Sequence, residues 1–195
     1  MIIEDGTGSG KKAKVNKDNK VEVNAITLSE YEEAALEGRA FNINTEIIAL
    51  TGTGESAVLY VKNNEAQPIS IQGFFVGVGA LSGTTSDSIL VQAFINPTGG
   101  TIVDNASAIT IANRDLGSTK TFSIDAYKGV DGDTLTGQDA TPILYQFQGG
   151  SSRVFGTVNL VLPRGASIGV TIDLNTTGGA NIYAGFTGFV RKEEE

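Results

Sequence analysis

The chain has 195 residues and a formal net charge of −8, with 40% hydrophobic and 18% charged residues. That length allows one well-packed domain, or one domain with an arm. Cysteine, histidine and tryptophan are all absent, which excludes disulfides, thiol nucleophiles, imidazole bases and most transition-metal ligand sets.

The charge is unevenly spread. Residues 1–24 carry five lysines against four acids, and the rest carries nine bases against 18 acids. An acidic body argues against nucleic-acid binding. It suits a protein kept soluble by repulsion until it docks on a partner. Twenty-five glycines against four prolines point to tight turns and strand kinks rather than disorder. There is no apolar run near the ~18 residues of a membrane span. Met1-Ile2-Ile3-Glu4-Asp5 has neither the basic nor the apolar region of a signal peptide, so no leader is expected.

In chain order, Asp5-Gly6-Thr7-Gly8-Ser9-Gly10 reads as flexible and Lys11-Lys12-Ala13-Lys14 as basic, with a possible small hairpin over Val15–Val23. This segment is either a loose tail or an arm that orders on a partner; the arm is the expectation. Its candidate partner-binding residues are Lys11, Lys12, Lys14, Lys17 and Lys20. Residues 27–38 predict the one helix. Thr27 and Ser29 stand three residues before Glu30 and Glu32 in capping-box spacing, and Gly38 is a C-terminal stop. Its four glutamates read as a solvated face.

From Phe41 the pattern turns to strands. Phe41–Leu50, a strand with Ala57, Leu59 and Val61 on one face, and Ile69–Leu81 come first. The apolar phase slips between Ile71 and Phe74, which predicts a bulge or a bend at Gly73. Ile89, Val91, Ala93 and Ile95 define another strand. A short strand at Ala108–Ala112 follows, then Phe122, Ile124 and Ala126, a polar loop from Lys128 to Thr141, and a strand with Ile143, Tyr145 and Phe147. Strict alternation then runs through Val154–Leu162, Ala166–Leu174 and Asn181–Val190. It reads as a three-strand antiparallel meander whose even-numbered apolar residues are buried.

Nine or ten strands at regular spacing predict an all-β fold, an antiparallel two-sheet sandwich of jelly-roll type with an extended N-terminal arm and one short helix. A closed barrel is the alternative. The expected division is an arm over 1–26, the helix and its connection over 27–40, the sandwich over 41–190 and a charged tail over 191–195.

The residues point to no enzyme. The serines have no imidazole partner, and no spacing singles out a carboxylate pair among the 22 acids. Asp131, Asp133 and Asp139, with Gly132 and Gly137, are hard-oxygen candidates for Ca²⁺. That run departs from the EF-hand pattern, and ordinary turn chemistry accounts for it; neither metal nor cofactor is expected. Phe155, Tyr183 and Phe189 fall on the odd, outer parity of their strands. They are candidate interface aromatics, unless that parity turns inward near the strand ends or the N-terminal segment covers it.

The opening Ile3-Glu4-Asp5-Gly6-Thr7-Gly8, Lys12-Ala13-Lys14-Val15 and Asn19-Lys20-Val21 resemble the N-terminal arm of structural proteins of tailed-bacteriophage virions. The segments Ala57–Glu65, Asn96–Gly100, Tyr127–Gly132 and Leu162–Val170 continue the resemblance over most of the chain. It implies a virion component: a capsid decoration (cement) protein, a head-fibre base or a minor structural protein. It also implies assembly as homotrimers on symmetry axes of a shell, with the major capsid protein or other virion proteins as partners. The expected place is the capsid surface, after synthesis in the host cytoplasm, with no nucleic-acid or membrane partner. The alternatives are a carbohydrate- or receptor-binding jelly roll and a neck or minor tail protein.

Overall fold

The computed structural model describes residues 2–4, 12–14, 28–51, 54–80, 89–148, 152–175 and 179–192. Two short strands, β1 (Ile2–Glu4) and β2 (Lys12–Lys14), pair antiparallel with Ile3 opposite Ala13. Helix α1 covers Glu30–Leu36. Then come β3 (Ala40–Asn44), β4 (Ile48–Leu50), β5 (Glu55–Asn63), β6 (Ile69–Ala80) and β7 (Ile89–Ile95). A short helix α2 (Thr101–Asp104) precedes β8 (Ser107–Ala108) and β9 (Ala112–Asn113). Strands β10 (Ile124–Lys128), β11 (Leu144–Gln148), β12 (Ser152–Leu162), β13 (Ser167–Asp173) and β14 (Ala180–Val190) complete the order.

Eight of the strands form a nested set. β3 pairs with β14, β5 with β13, β6 with β12, and β7 with β11, all antiparallel. First meets last and the order closes inward, as when one long hairpin is rolled over itself. That is the jelly roll expected from the sequence. The two sheets run β12-β6-β14-β3-β9, with β4 also on β14, and β11-β7-β13-β5-β10-β8. Phe41, Ile71, Phe74 and Phe186 from the first sheet meet Leu59, Val91, Ile168 and Ile172 from the second in one buried core.

The expected meander is corrected. The even residues Ile168, Val170, Ile172, Leu174, Ile182, Ala184 and Phe186 are buried as predicted. β13, however, lies in the sheet opposite β12 and β14, and β6 separates those two. Alternation records which face of a strand is apolar, not which strand lies beside it. The turn after Leu162 is an arch between sheets, with Ala166 N–H donating to the Pro163 carbonyl at 3.0 Å.

Other differences have local causes. The expected strand over Phe41–Leu50 breaks at Glu46, which takes φ 60° and donates its N–H to Asn44 Oδ1 at 2.9 Å. In β5, Val58 and Leu59 both join the core while Ala57 packs on the opposite face with Tyr60. A bulge accounts for this: Val170 faces Leu59 and the next residue, Thr171, faces Ala57. The bulge predicted at Gly73 is present. Thr187 faces Gly73, and Gly188 faces Ile71, leaving Gln72 as the extra residue. The expected strand at Ala108–Ala112 is split, because β8 pairs with β10 in one sheet and β9 with β3 in the other. Between them Ile109 and Ile111 lean against the core where the chain crosses sheets.

Candidate functional site

The outer face of the β12-β6-β14-β3 sheet carries Tyr183 and Phe189, two of the aromatics singled out by sequence. Tyr183 is half-buried. Opposite it in register is Gly77, and a Cβ there would overlap the Tyr183 ring. Phe75 lies in the same manner over Gly185. The two rings are 6.3 Å apart between centroids. Phe155 stands opposite Phe75 in β12, and its side chain lies outside the described residues.

Phe189 departs from the open-face expectation, for it is covered by α1 and only 1% exposed. Ser29 starts that helix with a full capping box: its hydroxyl accepts from Glu32 N–H at 3.2 Å, and the Glu32 carboxylate accepts from Ser29 N–H at 2.8 Å. Gly38, at φ 67°, ends it. Ala34 faces Ala40 and Phe189 in a small apolar cluster, and the Tyr31 ring meets Phe189 edge-on at 6.0 Å. The acidic face is not simply solvated. Glu32 caps the helix, while Glu33 and Glu37 both bind Lys192, at 2.6 and 2.8 Å. Hydrogen bonds from Ser29 hold the Glu32 carboxyl below its ordinary range, and those from Lys192 and then Arg39 do the same for Glu37.

Beside α1, above the Gly73 bulge, Tyr31, Gln72, Arg114, Thr157 and Thr187 line an open groove of about 450 Å³. The Arg114 guanidinium sits 5.7 Å over the Tyr31 ring, a cation–π contact. Burial pushes the Tyr31 hydroxyl pKa up, against an opposing pull from Arg114. The sequence carried no sign of this groove, because its members come from five separate segments.

Among the arm lysines, Lys12 and Lys14 fall in β2, where the backbone alone is described. Lys11, Lys17 and Lys20, like the small hairpin expected over Val15–Val23, lie outside the described residues. The Lys12–Lys14 backbone is paired within its own chain, to Ile2–Glu4.

The acidic loop works as a clasp. Asp131 accepts from the Thr51 backbone and hydroxyl. Asp133 accepts from Thr101 Oγ1 and Val130 N–H, both at 2.8 Å, and Asp139 caps Thr141 N–H at 2.9 Å. Together with the Gly99–Thr136 bridge, these bonds lay α2 and Leu135 over the outer face of β5. Among the described residues no group of three or more acidic side chains gathers as a metal site.

No family model and no curated protein matches the chain. Among solved structures, the chain is similar to one titled D431N mutant VP2 protein of infectious bursal disease virus, from derived T=1 particles. That alignment has 13% identity and a TM-score of 0.18, and it covers 78% of this chain. The chain spans 40% of that protein's length. A likeness this slight carries no argument about role.

Proposed function

We propose that this chain is a non-enzymatic virion structural protein that decorates the outside of a tailed-bacteriophage head. It would hold the shell through its N-terminal segment and through contacts between copies, three around each symmetry axis. The observation that carries this reading is the division of charge. Five lysines lie in residues 1–24, ahead of a jelly-roll body with nine bases and 18 acids. With the four acids beside them, the lysines leave that segment at +1 ahead of a body at −9, and this contrast suits docking onto an acidic surface, with steering from charge and register from backbone pairing. The jelly roll is compatible, since capsid proteins and lectins both use it. The phage resemblance of the arm and turn motifs supplies the choice of particle.

The test is sedimentation and native mass measurement of the purified chain, alone and mixed with empty heads, necks or tails of candidate phages. The reading expects a trimer that co-sediments with heads. Binding to tails or necks alone would move it within the virion. Clear glycan binding without affinity for any particle would replace it with a receptor-binding module.

A further inference from the structure

Eight cationic side chains are described in the body, and six of them have a partner. Arg39 and Lys192 bind glutamates of the α1 segment, and Lys128 binds Glu46. Lys120 donates to the Glu37 carbonyl, Arg191 to the Ser70 hydroxyl, and Arg114 lies over Tyr31. The remaining two, Lys62 and Arg164, make neither hydrogen bond nor ion pair with any described residue. Both line one open, solvent-facing cavity of about 550 Å³.

The cavity sits on the outer face of the β11-β7-β13-β5-β10-β8 sheet, where β5 ends and β13 begins. Its walls are held from several directions. Lys62 faces Ser167 across the β5–β13 ladder. Ser167 N–H donates to Asn96 Oδ1 at 3.1 Å, and Asn96 N–H donates to the Ser167 carbonyl at 2.8 Å. The Arg164 turn is fixed by Gly165 N–H donating to the Asn63 carbonyl at 2.7 Å. Tyr60 lines the cavity and is braced from behind, with its ring stacked on Tyr127 at 5.7 Å and 7°. The Tyr60 hydroxyl has no described partner and is not sealed from solvent. Thr98 offers a further hydroxyl at the rim. Asp125 stands opposite Lys62 on β10, yet no ion pair joins them.

Two unpaired cations in one concavity are notable on a body whose overall charge repels anions. We propose that this cavity binds a hydroxylated carboxylate of monosaccharide size, a sugar acid. The Arg164 guanidinium fork and the Lys62 ammonium take the carboxylate by charge-assisted hydrogen bonds. Tyr60, Thr98 and the free amide nitrogen of Asn96 address ring hydroxyls. The volume lies within the ~300–1,000 Å³ usual for small-ligand sites. This inference does not depend on the decoration reading, and it needs no particle for its test.

The probes are D-glucuronate, D-glucose, acetate and inorganic phosphate, each titrated into the full chain by isothermal calorimetry and followed by NMR shifts. Glucuronate should bind saturably, and the other three at least about tenfold more weakly. Lys62→Gln and Arg164→Gln should each weaken glucuronate about tenfold while leaving the fold intact by NMR and the melting temperature little changed, since neither side chain makes a hydrogen bond or ion pair with a described residue. Lys128→Gln, at a cation already paired with Glu46, should bind as the wild type. Absence of saturation overturns the proposal. So does glucose or phosphate binding as tightly as glucuronate, or a Lys62→Gln/Arg164→Gln double variant with undiminished affinity.

Discussion

Tyr183 and Phe75 fill each other's neighbouring gaps: Tyr183 of β14 lies over Gly77 of β6, while Phe75 of β6 lies over Gly185 of β14. The exchange explains why large aromatics tile an outer sheet face. Each glycine leaves a hole in the pleated surface, and a ring from the adjacent strand covers it, shielding the backbone. Tyr183 therefore has a structural use whether or not another subunit covers it.

The two glycines should respond differently to substitution. At Gly77 the obstacle is the Tyr183 ring, which can swing toward solvent. At Gly185 a Cβ would meet the Ile43 carbonyl oxygen as well as Phe75. Gly185→Ala should thus cost about 3 kcal/mol and Gly77→Ala about 1 kcal/mol, within the usual range for overpacking. Urea denaturation of the single variants measures this. A double variant with Tyr183→Ala should lose little beyond the Tyr183→Ala single, whereas Phe75→Ala should not rescue Gly185→Ala.

Burial was legible in the sequence to the extent that side-chain period fixes it. Ile168, Ile172 and Phe186 are buried because alternation marks one face of each strand. The slip at Gly73 was legible for the same reason, since a phase change requires an extra residue. Strand partnership was not legible. Pro163-Arg164-Gly165 serves an arch as well as a hairpin, and nothing in β12 or β13 states that β6 will intervene. Glu46 breaks the third strand with a positive φ on a residue type that gives no warning. Phe189 did have the outer parity expected of it, but the helix that covers it is some 150 positions away in sequence. The Lys62–Arg164 cavity was invisible for that reason too: its cations become neighbours only when β13 is placed beside β5.

Asn63 should be among the least replaceable polar residues. It is fully buried, its Nδ2 donates to the carbonyls of Leu162 at 2.9 Å and Gln67 at 3.1 Å, and its Oδ1 accepts from Glu65 N–H at 2.8 Å. One amide thereby joins the ends of β5 and β12 and shapes the turn into β6. Asn63→Ala strands three backbone groups at once and should destabilise by about 3 kcal/mol. The check is the denaturation midpoint at unchanged m-value. Asn63→Asp should be no better, because it discards the donor that both carbonyls need.

Acid should loosen α1 before the body unfolds. The carboxyls of Glu32 and Glu37 titrate lower in the folded chain than in the unfolded one. Their support is therefore complete above the ordinary glutamate range and is lost as pH falls through their depressed folded values. Lys192, whose pKa is raised by Glu33 and Glu37, stays charged throughout that window. NMR signals of Phe189 and Ala34 should move at low pH while Ile168 and Ile172 in the jelly-roll core stay fixed. High salt should weaken the Lys192 contribution and spare the Ser29 cap, since screening acts on exposed charge pairs. Simultaneous movement of both sets would show that α1 has no separate acid sensitivity.

Residues 1–24 should be dispensable for folding and required for attachment. Among the described residues, those of the jelly-roll core come from Phe41 onward, so deletion removes none of these. Exposed ion pairs contribute at most about 1 kcal/mol each, so no single change among Lys11, Lys12, Lys14, Lys17 and Lys20 should abolish binding. Backbone pairing is the stronger candidate, and β2 already has one edge against β1. Only its other edge, or a strand released by opening that pair, can add to a partner sheet. A proline at Ala13 sharpens the test, because it removes a backbone donor of β2 without changing charge. The deletion should keep the wild-type melting temperature and lose co-sedimentation with heads. Ala13→Pro should weaken attachment more than Lys12→Gln does. A deletion variant that still coats particles with wild-type affinity would reduce the segment to a tail, and would transfer the docking role to the body.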